Sequence, residues 1–126
     1  MVLLILTFLL FSFSSAEAIT LTESGATLTL EYDEPTTDDD LEQLHPLLID
    51  LDHTNIYIDD TLNQEIPATS NAGGGHITAT LTVPVLSGQI KTIKVHATAV
   101  DTSGNESDPS TVITKIIDRL APSPPQ

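Results

Sequence analysis

The sequence predicts an all-β domain, an antiparallel sandwich of about seven short strands, and three observations carry that expectation. Apolar and polar residues alternate over short runs, with Ile77, Ala79, Leu81 and Val83 on one face and then Ile93, Val95, Ala97 and Ala99. Turn-forming residues interrupt these runs about every 8–12 residues. No uninterrupted stretch keeps helical spacing long enough for a stable helix.

The first 18 residues stand apart from that pattern. Residues 2–13 form an apolar run, followed by Ser14, Ser15 and the small-residue site Ala16-Glu17-Ala18. This is the layout of a secretory signal peptide cut after Ala18, although no Lys or Arg precedes the apolar run. A membrane-spanning helix needs roughly 20 apolar residues, and this run turns polar too soon. The expected organisation is a signal segment at 1–18, one β domain at 19–119 and a Pro-rich tail or linker at 120–126.

Each strand has a local reason. Residues 19–22 start a short first strand, which Ser24-Gly25 breaks. Residues 26–32 form the second, with Leu28, Leu30 and Tyr32 on one face and Pro35 as its stop. Residues 36–52 are a long acidic connection in which Leu41, Leu44 and Leu48 have helical spacing. Pro46 limits any helix there to one turn. Residues 55–58 make a third strand, facing inward either through Ile56 and Ile58 or through Tyr57. Residues 64–67 suit a short edge strand, since Pro67 is tolerated only at an edge. Gly73-Gly74-Gly75 reads as a flexible turn; without a lysine and a following helix it is no phosphate loop. Residues 76–83 are the next strand, and Ser87-Gly88 turns the chain into the last hairpin.

That hairpin, residues 93–117, is the most informative segment. Asp101-Thr102-Ser103-Gly104 fits a type I turn, with Asp first and Gly fourth. Pro109 then holds Asp108 extended ahead of the β-rich run 111–117. The whole pattern is that of an immunoglobulin-like layout.

Particular residues carry a resemblance to fibronectin type III domains, in their bacterial and phage style. Residues 97–107, ATAVDTSGNES, and the following Asp108-Pro109-Ser110 resemble that family's strand F, FG turn and entry to strand G. ATLTLEYDEP at 26–35 resembles strand B, with Tyr32 where the family usually has Trp. DLDHTNIYI at 50–58 resembles the run into strand C, and DRLAPSPP at 118–125 a linker between repeats. Ile93 stands where strand F usually opens with tyrosine, so the tyrosine-corner hydrogen bond is lost. The resemblance implies a recognition or spacing module rather than a catalyst.

Composition narrows the function independently. The chain has 126 residues, with 18 acidic against 4 basic side chains and a net charge of −14. A chain this acidic repels phosphate backbones and anionic lipid, so nucleic acid is excluded as a partner class. The chain has no cysteine, so an exported fold must rest on its core. Its three Phe lie in the signal segment, which leaves Tyr32 and Tyr57 as aromatics and argues against sugar-stacking platforms. His45, His53, His76 and His96 are scattered without ligand spacing, and His96 reads as an ordinary exposed histidine. No serine sits in a nucleophile elbow. Enzymatic activity is therefore not expected.

Two groups of residues remain as candidates. Asp38, Asp39, Asp40, Glu42, Asp50 and Asp52 place hard oxygen ligands in one connection and would suit weak calcium binding, though not with EF-hand spacing. A solvated acidic loop that keeps the protein soluble accounts for the same residues and is the preferred reading, so no cofactor is assigned. Asp101, Ser103, Asn105 and Glu106 form a candidate interaction loop, without an Arg-Gly-Asp tripeptide. Asn105-Glu106-Ser107 also matches the glycosylation pattern, which the bacterial style of the resemblance makes a chance match. The functional expectation is a secreted or cell-surface, non-catalytic module that meets a protein partner, as a monomeric domain. The alternatives are a link in a larger surface or phage assembly, or an accessory domain of an extracellular enzyme.

Overall fold

The computed structural model describes residues 19–38 and 46–126. The expected signal segment, and with it Leu41, Leu44 and the helical turn they suggest, lies outside the described residues. Seven strands follow in order: β1 (Thr20–Ser24), β2 (Thr27–Asp33), β3 (Leu51–Ile58), β4 (Thr61–Pro67), β5 (His76–Thr82), β6 (Ile90–Asp101) and β7 (Ile113–Asp118). They form two antiparallel sheets, β1-β2-β5 and β4-β3-β6-β7, which makes the domain a β-sandwich. No helix occurs among the described residues, and so none is long and apolar enough to cross a membrane.

The alternation read from the sequence is what packs the two sheets. Leu28, Leu30 and Leu81 of the first sheet meet Ile56, Ile93, Val95 and Ile117 of the second, all fully buried. Each such side chain contributes roughly 1.5–3 kcal/mol on burial, so an aliphatic core replaces the missing aromatics. Ile56 and Ile58, not Tyr57, are the inward residues of β3.

Three strands run differently from expectation. β3 starts earlier, at Leu51, because a bulge between Leu51 and His53 lets Leu51 turn into the core. β4 starts at Thr61 and is the edge strand expected from Pro67. Along β6 the alternation holds through Ala97 and then fails, since Thr98 and Val100 are buried while Ala99 is half-buried. Residues 105–110 run along the edge of that stretch of β6, and the Glu106 carboxylate accepts the buried Thr98 hydroxyl.

Two connections define the ends of the sandwich. At one end Arg119 donates to the Val85 carbonyl at 2.7 Å and exchanges backbone bonds with Gly88 and Gln89. The tail at 120–126 is exposed and belongs to no strand. At the other end the β2–β3 connection crosses between sheets and meets residues 105–110. Pro67 closes edge strand β4, Pro84 follows edge strand β5, and Pro109 precedes edge strand β7.

Candidate functional site

The candidate site is the end of the sandwich where the described parts of the β2–β3 connection, residues 34–38 and 46–50, face residues 105–110. Its first support is a buried carboxylate. Glu34, 4% exposed, directly follows β2 and accepts bonds from the Thr69 amide (2.9 Å), the Thr69 hydroxyl (2.5 Å) and the Gly75 amide (3.0 Å). These bonds hold the 69–75 turn against the start of the connection. The Gly73 amide bonds to Ser70 and the Gly74 amide to Pro35. A Cβ at Gly73, where φ is +67°, would lie 2.0 Å from the Pro35 carbonyl oxygen. Gly73 is therefore demanded by close backbone approach, and at Gly75 a Cβ would meet the Thr69 and Glu34 side chains, so this turn, read from sequence as flexible, is packed against its neighbours.

From that anchor the connection doubles back. Asp38 donates its amide to Pro46 and Leu48 donates its amide to Thr36, around an antiparallel bridge between Thr37 and Leu47. Leu48 turns inward and is buried, while Leu47 and Ile49 are 76% and 78% exposed. Thr102 donates its amide to the Asp50 carbonyl and so ties this connection to the β6–β7 turn.

The opposite wall begins with the expected turn. Gly104 donates to the Asp101 carbonyl at 3.0 Å, and one carboxylate oxygen of Asp101 accepts the Ser103 and Asn105 amides. The Asn105 side chain takes the other oxygen at 2.8 Å. The Asn105 bonds lead in holding the Asp101 carboxyl below its ordinary value. Ser107 and Ser110 then imitate a strand: each donates its amide to β6, to Ala99 and Ala97, and each hydroxyl accepts the amide of that same β6 residue.

Glu106, directly before Ser107, bridges to Val100 of β6 and extends its side chain to β6 and β3. Its carboxylate accepts the Thr98 hydroxyl, the Tyr57 hydroxyl at 2.6 Å and the Asn55 side-chain amide at 3.3 Å. The Thr98 bond, then the Tyr57 bond, lower the Glu106 pKa, and the same Glu106 bond raises that of the Tyr57 phenol. The His96 ring stacks on Tyr57, with centroids 4.8 Å apart and an interplanar angle of 15°. Its side chain is only 14% exposed, which corrects its reading as an ordinary exposed histidine.

Between the two walls lies a cleft of about 790 Å³. Asp38, Asp50, Asp101, Asn105 and Glu106 line it, together with Tyr32 and Thr54. Asp52 lies outside the cleft and pairs with His53 at 2.7 Å. Ser103 also stays outside, in the turn held by Asp101. Asp39, Asp40 and Glu42 fall outside the described residues. Among the described residues no three His, Asp or Glu side chains gather as a metal site. Sequence reasoning missed Glu34, Tyr57 and the Tyr57–His96 stack. The polar-face position of His96 was legible from period-two spacing, but the facing of Tyr57 was left open, and their contact depends on the β3–β6 register.

No family model and no curated protein matches the chain. Among solved structures the chain is similar to the spore cortex lytic enzyme SleM of Clostridium perfringens, at 17% identity and a TM-score of 0.48. That likeness covers 80% of this chain and 26% of the enzyme's, so the chain spans about a quarter of the length of the protein it resembles.

Proposed function

We propose that this chain is an exported, non-catalytic, fibronectin type III-like module that works at the cell surface or outside the cell by binding a protein. The observation that carries the reading is the convergence of two anchored connections on one end of a rigid sandwich, the arrangement in which loops recognise partners. The fibronectin-like assignment is supported by strand positions. The segments resembling strands B, C, F and G fall on β2, β3, β6 and β7, and β4 sits beside β3 rather than in the sheet of β1, β2 and β5. Export is supported by the apolar run and the Ala16-Glu17-Ala18 site. In the accessory form of this reading, the bound protein is an extracellular enzyme that the module orients.

The test is expression of the full chain with an affinity tag at its C-terminus, followed by intact-mass measurement and capture of bound proteins. The expected result is a product beginning at Ile19 outside the cytoplasm, with one extracellular or surface protein enriched by it. A full-length product confined to the cytoplasm would overturn export. Failure to enrich any protein above a Tyr57→Ala/Asp50→Ala control would overturn recognition.

A further inference from the structure

The start of edge strand β5 carries a cluster of three titratable side chains beside the anchor of the site. We propose that His76 is a pH-dependent clasp: as an imidazolium it bridges Glu31 and Asp33 of β2 and holds the 69–75 turn against the sandwich, and on losing its proton it lets that turn loosen. Such a clasp acts on the fold at this end and is independent of what the cleft binds.

Geometry comes first. His76 pairs with Asp33 across the β2–β5 ladder, and Glu31 stands two residues along β2 on the same face, opposite Thr78. The ring lies between the two carboxylates, with Nδ1 2.8 Å from an Asp33 oxygen and Nε2 3.4 Å from a Glu31 oxygen. An ionised carboxylate only accepts, so both ring nitrogens must donate for both contacts to be made. The neutral ring has one N–H and serves one of them; the imidazolium serves both. The Asp33 bond leads in holding the imidazole above its ordinary 6.5, and Glu31 adds to it. Among the described residues these two carboxylates are the ion partners of His76. The 69–75 turn brings no titratable side chain, and Glu34, though next to Asp33, is buried and bonded to Thr69 and Gly75.

Position makes this charge matter. His76 is the first residue of β5, and β5 has a neighbouring strand on one side only. Directly before it, the Glu34 amide donates to the Gly75 carbonyl at 2.9 Å and the Gly75 amide donates back to the Glu34 carboxylate. The clasp thus stands where an edge strand leaves its sheet, next to the bonds that anchor the β2–β3 connection. Strand ends of this kind open locally at far lower cost than the core. The sign follows from linkage. A histidine whose pKa is raised by folding contributes stability that is fully present below its unfolded value, here 6.5, and is lost as pH rises through the folded value. The turn is therefore held tightest in mild acid and loosens above neutrality. The ring and both carboxylates are exposed, so the effect is local, modest and weakened by salt.

The experiment is NMR on the isotope-labelled secreted chain, reading the His76 ring titration and the hydrogen-exchange protection factors of the Thr69 and Gly75 amides. The ring is expected to titrate above 6.5, and Glu31→Gln to bring its midpoint down. Protection at Thr69 and Gly75 should fall several-fold between about pH 6 and about pH 8 in the wild type and stay level in His76→Gln. The Val83 amide, bonded to the Ala26 carbonyl beyond the other end of β5, should not respond in either protein. A wild-type ring midpoint at or below 6.5 would overturn the proposal without recourse to any variant. So would an equal loss of protection in His76→Gln, or a loss at Val83 as large as that at Gly75, which would mark a global response.

Discussion

Thr69 donates its amide and its hydroxyl to the two carboxylate oxygens of Glu34, at 2.9 and 2.5 Å. The pair lies 35 residues apart in sequence and joins the start of the β2–β3 connection to the turn before β5. Glu34→Ala would leave two backbone amides, Thr69 and Gly75, without their acceptor inside the fold. The expected loss is about 3 kcal/mol in urea denaturation, with Glu34→Gln losing less. A loss below about 0.5 kcal/mol for the alanine variant would show that the latch does not hold the site.

Ser107 and Ser110 substitute their hydroxyls for strand carbonyls, so their removal should be felt on β6 rather than on themselves. Ser107→Ala should speed hydrogen exchange at the Ala99 amide, and Ser110→Ala at Ala97, with about 1 kcal/mol lost in each case. The Ile93 and Val95 amides, which lie along the β7 pairing, should keep their protection. Equal acceleration of all four would mean global destabilisation instead.

Glu106 gives the site an acid-side dependence with a definite sign. Its folded pKa lies below the ordinary 4.5, through the Thr98 and then the Tyr57 hydroxyl. A carboxylate depressed by folding contributes stability above its unfolded pKa and loses it as pH falls through the folded value. The melting temperature of the wild type should exceed that of Glu106→Gln at about pH 6, and the gap should close toward about pH 3. Because Glu106 is exposed, solvent keeps the effect small. A gap that is constant across this range would remove Glu106 from the acid response.

The β3–β4 turn holds Asp59 and Asp60 at φ of 50° and 65°, a left-handed pair in a two-residue hairpin loop. Asp59 has a role there, accepting the Lys94 amide at 2.9 Å. Asp60 is fully at the surface, and a glycine accepts its conformation without strain. Asp60→Gly should raise stability by about 0.5 kcal/mol, the relieved backbone strain outweighing the freer unfolded chain. A lower urea midpoint would refute that balance.

The residues that were legible in the sequence are those whose structure is local. Leu28, Leu30 and Tyr32 announce β2 by alternation, and Asp101 and Gly104 announce their turn by side-chain chemistry. The early start of β3 was hidden, because a bulge at Leu51–His53 breaks the period of two that reveals a strand. Glu34 was equally hidden. Its partners Thr69 and Gly75 lie 35 and 41 residues away, and nothing in a lone acidic residue after a strand shows that it is buried. The acidic wall of the cleft was visible as composition, but the burial of Tyr32 beside Thr54 needed the packing of two sheets.

The prolines bordering the sandwich bear on self-association. Three of its four free edges have one at or beside their limit: Pro67 on β4, Pro84 after β5 and Pro109 before β7. A second copy that tried to add itself strand to strand would soon meet a residue with no N–H to offer. The molecule can thus leave its strand edges open at high local concentration and still resist growing into a shared sheet.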